Sequence, residues 1–353
     1  MAEALLQTTV VGSYPQPDWL VNRAMLSKIV PRTRYKELWR VEEPYLEQAQ
    51  DDATLLAIRA QEDAGLDIVT DGEQSRQHFV HGFLENVEGI DFGRRVEMGI
   101  RNNRYKAMVP TVTGALRLRD RVHAVEARLA RAHTARKLKF TLPGPMTIVD
   151  TIADTHYGDR TTLAMAFAAL LNQEAQALQA DGVDVIQFDE PAFNVYMDAV
   201  KDWGVAALER AAQGLSCTTA VHICYGYGIQ ANIDWKGTLG SEWRQYEEIF
   251  PALAASRIDQ VSLECRNARA PMRLMKLLAG KDVLVGVIDV ATDRVETAEQ
   301  VAASIEDALE FVPADRLFPC TNCGMAPMHR DIAEGKLAAL GAGAALARRR
   351  FAA

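Results

Sequence analysis

The 353-residue sequence lacks any apolar run near the roughly 18 residues that a membrane-spanning helix needs. Its cysteines are few and odd in number, five scattered along the chain, so no disulfide framework is expected. Positive charge is short as well: 39 lysines and arginines against 47 aspartates and glutamates leave a net charge of -8. Without a global positive field, neither nucleic acid nor an anionic membrane is an expected partner. The opening Met1-Ala2-Glu3-Ala4 has no basic segment leading an apolar one, as a signal peptide would. Free thiols and no leader together suggest a cytoplasmic protein. Repeats, low-complexity tracts and serine–glycine linkers are missing too, which favours a single domain over residues 1–353.

What is present is 48% hydrophobic and 24% charged, enough for a large core. Short β-prone runs alternate with longer helical patterns, the signature of a parallel sheet. Eight such runs stand at 8–11, 67–70, 138–142, 183–188, 218–222, 260–263, 283–288 and 317–320. Helical stretches are expected at 51–64, 163–180, 205–214, 271–278 and 297–311. Several end at a glycine, Gly65, Gly182 and Gly214, which suits a left-handed cap. The expected fold is therefore α/β, a (β/α)8 TIM barrel. Residues 78–136 are too long for one helix and turn-rich between Arg101 and Arg119. They read as an insertion, with a hairpin, between the second and third strands.

Such barrels carry their chemistry at the C-terminal ends of the strands. This sequence places Gly12-Ser13, Asp71-Gly72-Glu73, Pro143-Gly144-Pro145, Asp189-Glu190, His222, Cys224, Glu264, Asp289 and Cys323 there. His222 and Cys224 are two apart in a β-prone run, so their side chains point the same way. An imidazole and a thiol converging make half of a tetrahedral zinc site. Glu264 and Cys323 are candidates for the remaining donors, with plain packing of the cysteines as the alternative.

Other motifs keep two readings. Cys320-Thr321-Asn322-Cys323 has redox spacing, but no thioredoxin-sized unit surrounds it, so Cys323 reads better as a metal ligand. Cys217, Cys265 and Cys320 read as packing residues. Asp189 and Glu190 either hold a substrate amine or cap a following helix. Glu73 is a loop carboxylate or a ligand anchor, and Gly12-Ser13 a turn or a backbone contact for a carboxylate. The arginine-rich stretch 117–136 is the solvated face of an amphipathic helix or a dock for an acidic partner.

Taken in order, Gly12-Ser13-Tyr14-Pro15-Gln16, Asp71-Gly72-Glu73, Pro143-Gly144-Pro145-Met146-Thr147, Ile186-Gln187-Phe188-Asp189-Glu190-Pro191-Ala192, His222-Ile223-Cys224-Tyr225, Glu264 and Asn322-Cys323-Gly324 resemble the catalytic barrel of cobalamin-independent methionine synthase. The likeness covers nearly the whole chain, without that family's N-terminal half. It implies that His222, Cys224, Glu264 and Cys323 bind zinc. It also implies that Gly12, Ser13, Glu73, Asp189 and Glu190 hold homocysteine, and that Glu264, as an exchangeable ligand, and Asp289 serve catalysis. The implied activity is methyl transfer to the homocysteine thiol.

Three positions depart from the folate-using pattern: Thr151 for a stacking tryptophan, Val195 for a glutamate, and Ala291 for a proton-donating histidine. With the variant details around Cys320 and Leu239 to Tyr246, the chain is similar to short, folate-independent methionine synthases that work with a partner protein. The methyl donor is then a methylated corrinoid protein or a partner's product. Two rival expectations are alkylation of another thiol, as in transfer from an epoxide to coenzyme M, and a non-catalytic zinc or methyl-carrier-binding subunit.

Overall fold

A computed structural model describes residues 5–26, 36–227, 230–266 and 268–352. Its strands are β1 (Ile68–Thr70), β2 (Val87–Ile100), β3 (Tyr105–Leu118), β4 (Lys137–Pro143), β5 (Ala153–Asp154), β6 (Val185–Asp189), β7 (Thr218–His222), β8 (Gln260–Glu264), β9 (Asp282–Ile288) and β10 (Leu317–Thr321). Seven of them form one curled, all-parallel sheet in the order β1-β4-β6-β7-β8-β9-β10. β2 and β3 pair as an antiparallel hairpin with β5 at its edge.

Alternation along the strands sorts side chains onto two faces. Val69, Leu138, Phe140, Ile186, Phe188, Val221, Val261, Leu263, Val283 and Val285 join the large cluster built with the helices. The opposite face holds a small apolar plug of Ile68, Val185, Ala220, Leu284 and Cys320. Further along the same strands come buried polar groups: Lys139, Thr141, Gln187, Asp189, His222, Ser262 and Glu264. These are where a sheet packed only by apolar contacts would put valines, so each demands a partner.

The expected first strand, 8–11, is not part of the ladder. Thr9 N–H donates to Pro319 O (3.2 Å) and Ile68 N–H to Thr8 O (3.0 Å), so the segment bonds to both edge strands. Side chains take its other main-chain groups: Lys139 Nζ donates to Val10 O, Gln187 Nε2 to Val11 O, and Val11 N–H to Thr321 Oγ1. That substitution of side chains for neighbours removes the regular ladder.

Other expectations shift at the edges. The hairpin begins at Val87, well before Arg101, because Arg101 to Arg104 are its turn. The stretch expected as a helix at 271–278 is a 3-10 helix, Met272–Leu278. Gly65, Gly182 and Gly214 have φ of 79°, 91° and 74°, the left-handed conformation that their positions after helices called for.

Of the arginine-rich stretch, residues Ala124–Ala132 form a helix, and three of its arginines pair within the chain. Arg121 pairs with Glu174 and Asp181, Arg128 with Asp181, and Arg131 with Asp184, at 2.9–3.2 Å. Docking of an acidic partner on this face would compete with those pairs. Among the described residues no helix is long and apolar enough to cross a membrane.

Candidate metal centre and substrate cavity

Strand alternation brings His222 to the end of β7 and Cys224 just beyond it, both buried. Cys323 follows β10. The ligand atoms of His222, Cys224 and Cys323 all lie within 4.8 Å of one another. His222 Nδ1 contacts Ser262 Oγ at 2.7 Å, and the same oxygen accepts from Ile223 N–H. A ring that donates Nδ1–H to Ser262 keeps its Nε2 lone pair for a metal, and the buried Nε2 has no hydrogen-bond partner. The thiol of Cys224 is pushed far below its ordinary pKa, first by the hydrogen bond from Cys323 and then by His222; the same bond pushes Cys323 up. Two thiols and one imidazole nitrogen are a soft donor set that suits zinc.

Glu264, fully buried at the end of β8, stands outside this trio. Its carboxylate accepts from Tyr225 N–H (2.9 Å) and Tyr227 O–H, and Lys236 Nζ lies 3.9 Å away. Burial pushes it up to about 7, with Lys236 pulling the other way.

A cavity of about 570 Å³ opens over the trio, lined on its inner side by Ser13, Glu73 and Asp189. Glu73 sits at φ 57°, a conformation unusual for a side-chain-bearing residue and retained here by its surroundings. Thr141 Oγ1 donates to its Oε1 (2.9 Å), and Arg76, paired with Asp71 at 2.8 Å, is 3.9 Å distant. A Cβ on Gly12 would stand 2.8 Å from that same Oε1, so only glycine leaves Glu73 its place. Asp189 lies in register with His222 and accepts from Gln187 Nε2 (2.8 Å). Burial pushes Asp189 up to about 7, against the pull of His222, and also raises Glu73, against that of Arg76. A half-buried and a buried carboxylate on one cavity wall are suited to a bound ammonium group.

Three expected residues are not among those that line the cavity. Glu190 is tied up, accepting from Met146 N–H, Thr147 N–H and Thr147 Oγ1 at 2.7–2.9 Å. These bonds serve the N-terminus of the helix Pro145–Val149. The Gly12 carbonyl accepts from Thr70 Oγ1 (2.7 Å), while Val11 and Ser13 line the cavity. The Asp289 carboxylate accepts from Ala291 N–H in its own turn and does not line the cavity.

Sequence reasoning missed Ser262, although its two-residue spacing from Glu264 places it on the same face. It also missed Arg101 and Arg104. The hairpin turn carries them over the cavity, and no local pattern announces that.

Comparison with known proteins fits this geometry. The family model described as the catalytic domain of cobalamin-independent synthase matches residues 6–345. A methionine synthase of Sulfolobus acidocaldarius is 29% identical over 335 residues, covering 94% of this chain and 89% of that protein. One from Saccharolobus solfataricus is 30% identical, covering 95% and 93%. The solved structure of a B12-independent methionine synthase from Shewanella sp. W3-18-1, in complex with selenomethionine, is 52% identical over 99% of each chain, with a TM-score of 0.92. A match that spans the chain, around a histidine–cysteine cluster with carboxylates beside it, leads to one assignment: the chain is a methyltransferase of the cobalamin-independent methionine synthase family, matched along that family's catalytic domain.

Proposed function

We propose that the chain forms methionine by methyl transfer to the thiol of homocysteine, with zinc held by His222, Cys224 and Cys323 and by Glu264 as the exchangeable ligand. The observation that carries this reading is the orphaned His222 Nε2 near two thiols, with the carboxylates of Glu73 and Asp189 on the same cavity. We read the scaffold as a single domain over 1–353, an eightfold barrel whose first stave is segment 8–11, with 78–136 as an insertion.

Zinc bound there would supply a Lewis acid that lowers the pKa of a substrate thiol toward neutrality. The chain's own residues do the rest. Glu73 and Asp189 hold the ammonium group, which relieves the cost of their burial. Ser13, whose Oγ accepts from Ala326 N–H (3.3 Å), places the first loop beside the one carrying Cys323. Tyr225 N–H, Tyr227 O–H and Lys236 hold the Glu264 carboxylate beside the site, and would keep it there if it left a bound metal. The bound selenomethionine of the Shewanella relative supports an amino-acid site of this kind.

For the donor, Thr151 and Val195 on the cavity wall offer no aromatic stack and no acid for a pterin, which favours a molecule other than a folate. The family's cobalamin-independent character speaks against a corrinoid. Coenzyme M as acceptor fits poorly, because a sulfonate thiol has no cation for Glu73 and Asp189. Calorimetry with zinc-loaded protein decides: homocysteine is expected to bind and mercaptoethanesulfonate not to, and the reverse order would end this reading.

A further inference from the structure

Beyond the sulfur cluster the cavity runs outward to a wall that takes no part in holding zinc or the amino acid. Arg101 and Arg104 from the hairpin turn, with Asn194 and Trp235, build it. Asn194 is 2% exposed, and neither its Oδ1 nor its Nδ2 has a hydrogen-bond partner. Folded proteins rarely leave a buried amide unmet unless a ligand or water is to meet it. Arg104 donates to Asn232 Oδ1 (3.0 Å) and lies 3.4 Å from the Trp235 ring centroid; among the described residues no carboxylate pairs with it. Asp150, the acid nearest in effect, is committed to Arg101 and Tyr196. Burial, then the like charge of Arg101, bring Arg104 down to about 10, so it remains a cation at neutral pH without a counter-ion.

We infer that this wall is the subsite of a small oxyanion-bearing methyl donor, a carboxylate or phosphate, whose charge pairs with Arg104 and whose hydrogen-bonding edge meets the Asn194 amide. The inference rests on the methyl-transfer reading and names the class of its second substrate. A flat aromatic donor would need an open ring to lie on, but Trp235 is covered by Arg104 and stacks with Tyr225 at 5.9 Å. In the transfer, the donor's bond from methyl to its heteroatom breaks as the sulfur–carbon bond forms. The electron pair stays on that heteroatom, and the thiol proton ends there.

Calorimetric titration of the zinc-loaded full chain, saturated with methionine, tests this. The probes are malonate and, separately, inorganic phosphate, each against sodium chloride at matched ionic strength. One of them is expected to bind saturably, malonate marking a carboxylate donor and phosphate a phosphoryl one. Arg104→Gln should weaken that binding by about ten-fold, and Asn194→Leu comparably, while each holds methionine within about two-fold of wild type. If neither anion outbinds chloride, or both variants bind it as wild type does, while methionine binds normally, the subsite is refuted and the functional reading stands. If methionine does not bind to the wild-type protein, that reading falls and the subsite with it.

Discussion

Asn322 crosses strand β9 at Gly286, where a Cβ would stand 2.9 Å from the Asn322 Cα and against its Oδ1. From there the Asn322 amide accepts from Arg266 N–H (3.1 Å) and donates to Arg266 O. The loop after Glu264 is thereby tied to the loop that carries Cys323, across a strand that had to be bare to allow it.

Gly286→Val should force these loops apart. The expected result is a loss of about 1–3 kcal/mol of stability in urea unfolding, as for other overpacked sites, with a fall in bound zinc. Full zinc content in a destabilised protein would show that the crossing supports only the fold.

Glu73→Gln keeps the shape of the side chain and its bond to Thr141 but removes the charge facing the cavity. Homocysteine affinity should drop by about ten-fold in calorimetry, with zinc content unchanged. An unchanged affinity would remove Glu73 from the ammonium site.

Lys139, 1% exposed, donates to Val10 O, and burial brings its pKa down from 10.5 to about 8, against Cys320 and Asp189. The unfolded chain keeps this proton up to about 10.5 and the folded chain loses it from about 8. Between those values unfolding takes up a proton, so the folded state gains as pH rises. Relative to Lys139→Met, wild-type stability should therefore climb from pH 8 to 10 by up to about 1.4 kcal/mol per unit. A difference that is flat with pH would contradict the buried-cation reading.

The sequence made the parallel sheet legible through its alternating runs, and His222 with Cys224 through their two-residue spacing at the end of one strand. Side chains that act across strands were not legible. Glu190 bonds to Met146 and Thr147, more than forty positions back, and Asn322 needs the absence of a side chain on a different strand. Segment 8–11 looked like an ordinary strand because its composition is β-prone. Its ladder partners are replaced by Lys139, Gln187 and Thr321, residues whose role appears only once the strands lie side by side. Arg104 and Asn194 are separated by strands β3 to β6 and several helices, so only the folded chain puts them on one wall.

Zinc content of the purified protein and of its five single cysteine-to-serine variants tests the central claim most directly. Wild type should carry about one zinc per chain. Cys224→Ser and Cys323→Ser should carry almost none, while Cys217→Ser, Cys265→Ser and Cys320→Ser keep it. A wild-type protein that binds no zinc, or a Cys320→Ser variant that loses it while Cys323→Ser does not, would contradict the account.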